Sequence, residues 1–219
     1  MNAVARVGFI LVIGFNAWGD TPAWTPASAP LLGSATFTGT RGELFRYSGG
    51  YSTYVTKLGV FDAGGDGLAN AHAVGLWDAV RGTLLRSAIV PAGTEAPLEN
   101  GYRYVSIEPL QVFSFANYVV GAQFSAGDAD HPVDDVTLTR NAIRFAPEIQ
   151  IYYGQNAIGS DLPFPNSTYY RYCSFGECFQ GDLLDANFQF SSIPEPSVCV
   201  LLSLGLISLR FYRRKSMQR

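Results

Sequence analysis

A chain of 219 residues holds one medium domain plus processing segments. Hydrophobic residues make up 47% and charged residues 15%, which excludes a disordered polyelectrolyte. The net charge of −3 conceals a body, residues 20–193, that carries seventeen acidic and nine basic side chains; this excess of acid excludes nucleic acid, whose phosphates require a basic face.

The N-terminus carries one cation, Arg6, and then the apolar run Val7 to Phe15. Ala17 and Gly19 place small residues at the two positions a signal peptidase reads. The pattern predicts a signal peptide over 1–19, cleaved near Gly19, and export into an oxidising compartment. Residues 20–34 hold Thr21-Pro22, Thr25-Pro26 and Ala29-Pro30. That composition suits a flexible lead-in, with the folded domain over 35–192 and its sheet beginning near Thr36.

Within the body, aromatics at 14%, 23 Gly and 12 Pro favour strands and turns. Tyr54 to Phe61, Ala73 to Asp78, Leu84 to Val90, Tyr102 to Ile107 and Asn117 to Phe124 read as strands, with weaker candidates at Ala142 to Phe145 and Asn187 to Phe190. Gly82 and the pair Asn100-Gly101 mark turns. The expected fold is all-β, an antiparallel β-sandwich of jelly-roll-like character. The block Val55 to Asp62, Gly64-Gly65-Asp66-Gly67-Leu68, His72 to Asp78, Gly82 to Leu85 and Tyr118 to Gly121 resembles an uncharacterised β-sandwich domain of secreted bacterial proteins. The resemblance runs from about Phe37 to Phe124 and implies neither a reaction nor functional residues.

Two acidic groupings offer oxygens to a cation. Asp62 and Asp66 flank a glycine turn, and Asp128 and Asp130 precede His131, Asp134 and Asp135. Calcium takes several oxygens from such loops, although neither matches the full EF-hand spacing. The plainer reading is solvated turns in which Asp caps backbone and Gly supplies positive φ. No nucleophile elbow, His-Glu-x-x-His or phosphate-cradling loop occurs, so an enzyme is not expected, nor any cofactor beyond calcium. His72 reads as a polar strand-edge residue. Trp77, Tyr51, Tyr54, Tyr102, Tyr104, Tyr152, Tyr153, Tyr169, Tyr170 and Tyr172 could include a sugar-stacking platform, against the stronger expectation that such rings fill a core. Cys173 and Cys178 are the body's two cysteines. In an exported chain they are expected to form a local disulfide, the alternatives being a free pair or a metal site.

The C-terminus reads Ile193-Pro194-Glu195-Pro196, an apolar run from Ser197 to Leu209, and a basic end with Arg210, Arg213, Arg214 and Lys215. The run suits a short membrane helix at about 197–212, its basic flank held at the cytoplasmic face. The two prolines keep the preceding chain extended. The sequence 193–219 closely resembles the PEP-CTERM sorting signal of Gram-negative bacteria. That resemblance implies recognition of Pro194, Glu195 and Pro196 by exosortase, a membrane protease. It also implies an inner-membrane anchored intermediate, then delivery to the cell surface or beyond in systems tied to exopolysaccharide and biofilm. The expected role is a non-enzymatic surface or matrix protein; the alternative is a secreted carbohydrate-binding protein or a glycan-active enzyme.

Overall fold

Alternation of apolar with polar residues, and β-branched or aromatic side chains at the apolar positions, drive most of the described residues into strands. A computed structural model describes residues 20–26, 37–49, 53–130, 143–168, 170–174, 177–180 and 185–192. Fifteen strands are described: β1 Thr21–Pro22, β2 Trp24–Pro26, β3 Gly39–Tyr47, β4 Thr53–Phe61, β5 His72–Asp78, β6 Thr83–Val90, β7 Leu98–Glu99, β8 Tyr102–Val112, β9 Asn117–Phe124, β10 Ile143–Phe145, β11 Ile149–Ile158, β12 Ser167–Thr168, β13 Tyr170–Ser174, β14 Glu177–Gln180 and β15 Ala186–Ser192. Five of them form one sheet in the order β1-β15-β4-β8-β7, and six form another in the order β12-β11-β3-β9-β5-β6. Two short pairs, β10-β2 and β13-β14, complete the set. Every pairing is antiparallel. The fold of the described residues is thus all-β with antiparallel sheets, consistent with the expected sandwich.

One core cluster draws on both large sheets. Phe45 of β3 stacks on Phe188 of β15 at 4.7 Å between ring centroids, and Tyr47 meets Phe190 edge-on at 6.2 Å. Close approach of backbones in the six-stranded sheet imposes one glycine pair. Gly42 of β3 lies opposite Gly121 of β9, and a Cβ on Gly42 would collide with the Val120 carbonyl. The Asn100-Gly101 turn forms as its sequence requires. Both residues take positive φ, 52° and 82°, and join β7 to β8 by a two-residue hairpin.

Residues 20–26 depart from the expected flexible lead-in. β1 adds to β15, with Thr21 opposite Phe190, and β2 pairs with β10. Trp24 is fully buried, packs edge-on against Phe188 at 5.8 Å and donates Nε1–H to Tyr102 Oη at 3.2 Å. A tryptophan whose indole N–H finds an acceptor gains more from the interior than Pro-rich flanks lose by ordering. Strands β3 and β11, the middle of the six-stranded sheet's first half, are additions to the expected set. Apolar alternation fails in β3 because Thr40, Arg41 and Glu43 are themselves buried, Arg41 beside Asp185 at 3.2 Å.

The expected signal peptide (1–19) and the tail with Pro194, Glu195, Pro196 and its basic end lie outside the described residues. Among the described residues, no helix is long and apolar enough to cross a membrane.

Candidate metal centre

The chain passes from the five-stranded to the six-stranded sheet between β4 and β5. The segment 62–71 makes that crossing, with Gly64, Gly65 and Gly67 all at positive φ. His72 opens β5, next to β9, whose end at Phe124 packs against the imidazole at 4.8 Å between centroids. Beyond β9 the chain turns at Gly127 (φ 82°), with Asp128 N–H bonded to the Ser125 carbonyl at 3.2 Å. That turn carries Asp128 and Asp130 over the start of β5.

His72, Asp128 and Asp130 converge there, their ligand atoms within 4.8 Å of one another and all three side chains buried. Hydrogen bonds hold both carboxylates in place. Asp128 Oδ2 accepts Asn70 Nδ2–H at 3.2 Å, and its Oδ1 accepts the Asp130 backbone N–H at 3.1 Å. Asp130 Oδ2 accepts Ala69 N–H at 2.6 Å. Burial raises the Asp130 carboxyl above its ordinary range, and the neighbouring charges of Asp128 and Asp62 push the same way against backbone hydrogen bonds from Ala69 and Ala63.

His72 is oriented just as firmly. Its Nδ1 lies 3.0 Å from the Gln123 carbonyl oxygen, which can only accept, so Nδ1 carries the hydrogen. Nε2 has no hydrogen-bond partner and faces Asp128 Oδ2 at 3.6 Å. Chemically, this is a buried constellation of one imidazole nitrogen and two carboxylates.

Of the four positions expected to serve calcium, Asp128 and Asp130 come together. Asp62 lies nearby, but Arg103 Nε–H donates to its Oδ2 at 2.6 Å and Gly67 N–H donates to the same oxygen at 3.2 Å. It pins the loop. Asp66 is exposed and outside the cluster. His131, Asp134 and Asp135 lie outside the described residues. The expectation of a polar strand-edge role for His72 is corrected. β5 lies between β9 and β6, and His72 is 1% exposed. Only the β5–β9 pairing brings a histidine at one strand's start against an Asp-x-Asp after another strand's end, and sequence spacing carries no sign of that pairing.

The aromatic candidates mostly turn inward. Trp77, Tyr102 and Tyr104 are buried, and Tyr54, Tyr152 and Tyr153 are half-buried. Tyr51 and the side chains of Tyr169, Tyr170 and Tyr172 lie outside the described residues. In the β13–β14 hairpin, Cys173 stands directly opposite Cys178. Opposed residues of an antiparallel pair have Cα atoms about 4.5–5.5 Å apart, inside the range of about 4.4–6.8 Å that disulfides span. A digest of the unreduced protein, folded under oxidising conditions, is therefore expected to yield the two cysteines in one cross-linked species. Alkylation of both thiols without reductant would refute the link.

The chain matches no protein-family model, no curated protein and no solved structure.

Proposed function

We propose that this chain is an exported bacterial surface or extracellular-matrix protein, non-enzymatic, delivered by an exosortase-type route and linked to exopolysaccharide or biofilm. The observation that carries the reading is the order of parts at the C-terminus: Pro194-Glu195-Pro196, then an apolar run, then Arg210, Arg213, Arg214 and Lys215. In this reading the prolines present an extended strand to a membrane protease, the apolar run holds the tail in the bilayer, and the cations stop translocation. The PEP-CTERM resemblance of residues 193–219 supplies the identity of that protease. The all-β, antiparallel body suits a jelly-roll-like sandwich delivered outside the cell, and the net acidity of residues 20–193 suits a soluble ectodomain. Burial of Trp77, Tyr102 and Tyr104 favours a structural role for these rings over a sugar platform.

The test is made in the native host. Glu195→Ala and Pro196→Ala are expected to accumulate as the membrane-bound, unprocessed form, while wild type is shortened and released or displayed. Identical processing and release of both variants and wild type would overturn the sorting role.

A further inference from the structure

We infer that His72, Asp128 and Asp130 bind one divalent first-row transition-metal ion of the zinc class, at the corner where the chain crosses between its two large sheets. The inference stands on the body alone and does not depend on the route of export.

The imidazole carries the argument. With its hydrogen committed at Nδ1 to the Gln123 carbonyl, the Nδ1–H tautomer of His72 presents a lone pair at Nε2, 1% exposed and without a hydrogen bond. What it faces is another acceptor, Asp128 Oδ2, at 3.6 Å. Two acceptors opposed in a water-poor site need a cation between them. A proton would draw them together, because charge-assisted N–H···O bonds close to about 2.7–2.9 Å. A metal would hold them apart: two ligands at about 2.0–2.1 Å from a tetrahedral zinc stand about 3.4 Å from each other. At 3.6 Å the pair stands closer to the second geometry than to the first, inside the 4.8 Å that spans all three ligand atoms.

The surroundings fit the same ion. A metal-bound histidine characteristically donates its other N–H to a carbonyl or carboxylate, as His72 does to Gln123. The Asp130 backbone N–H holds Asp128 Oδ1, Asn70 shares Oδ2, and Ala69 N–H holds Asp130 Oδ2, which together fix the direction of both carboxylates. Arg103 is engaged by Asp62 and by the carbonyls of Ala96 and Gly65. The donor set decides the type of ion. Calcium takes six to eight oxygens, whereas one imidazole with two carboxylates suits zinc and its neighbours and leaves a coordination position open. Bound there, the ion would tie the start of β5 to the turn 125–130.

The experiment uses the full chain in mild detergent, stripped with EDTA under non-reducing conditions and titrated with Zn2+. One equivalent is expected to bind and to raise Tm, while Ca2+ at the same concentration leaves Tm unchanged. Asp128→Asn keeps the side chain's shape and is expected to weaken Zn2+ binding by more than about tenfold, with the near-UV circular dichroism of the stripped protein preserved. Equal Zn2+ affinity in wild type and Asp128→Asn would overturn the site, as would a Ca2+ shift matching that of Zn2+. Should the variant fail to fold, the imidazole nitrogen resonances of wild-type His72 decide. Zn2+ is expected to move Nε2 and leave Nδ1 protonated; an unmoved Nε2 overturns the proposal.

Discussion

Replacement of Arg103 by Met is expected to cost about 3–5 kcal/mol of unfolding free energy, because it strands the buried carboxylate of Asp62. Arg103 and Asp62 side chains are 5% and 0% exposed and meet at 2.6 Å. The guanidinium also donates to the Ala96 carbonyl at 2.8 Å, so it stitches β8 to both the crossing segment and the loop before β7. Met fills much of the stem's volume but returns none of the charge or donors. A domain of this size has only about 5–15 kcal/mol in total, so the variant would unfold at far lower urea. The double variant Asp62→Asn with Arg103→Met is expected to recover part of the loss, since it removes the orphaned charge as well as its partner. Urea midpoints for the three proteins check this. A single variant within about 1 kcal/mol of wild type would mean that solvent reaches the pair.

Trp24→Ala is the second large effect, again about 3–5 kcal/mol, the usual cost of deleting a buried indole. The side chain is fully buried, its ring against Phe145 and Phe188, so truncation leaves a cavity in a close-packed interior. Trp24→Phe separates the contributions. It keeps an aromatic ring but loses the donor to Tyr102 Oη, and is expected to cost about 1 kcal/mol beyond its smaller volume. Thermal melts of both variants give the comparison. A melt of Trp24→Ala superimposable on wild type would place residues 20–26 outside the cooperative unit, as their Pro-rich composition first suggests.

Where strands obey local rules, the sequence announces them. Thr53–Phe61, His72–Asp78, Thr83–Val90, Tyr102–Val112 and Asn117–Phe124 each carry the apolar density and flanking turns that short-range patterns detect. Gly39–Tyr47 hides because its interior positions are Thr40, Arg41 and Glu43, whose burial depends on partners far along the chain, such as Asp185. Trp24 hides for a related reason: three prolines nearby argue for a linker, and partners such as Tyr102, Phe145 and Phe188, some eighty to one hundred and sixty residues on, make it core. The cluster of His72 with Asp128 and Asp130 was half legible. Its carboxylates stood out in an acidic cluster with His131, Asp134 and Asp135, but His72 joins them through the antiparallel neighbours β5 and β9. Strand adjacency is a property of the whole sheet, and residue spacing does not encode it.

Strand β15 ends at Ser192, immediately before the prolines, and is gripped on one flank by β4 along seven residues and on the other by β1. Any drag transmitted through the downstream chain therefore enters the body lengthwise along β15. Cross-strand hydrogen bonds lie perpendicular to that direction, so they are sheared together instead of peeling apart in succession. A protein held by this end while fluid or polymer tugs at its far side meets the load with a strand paired on both flanks.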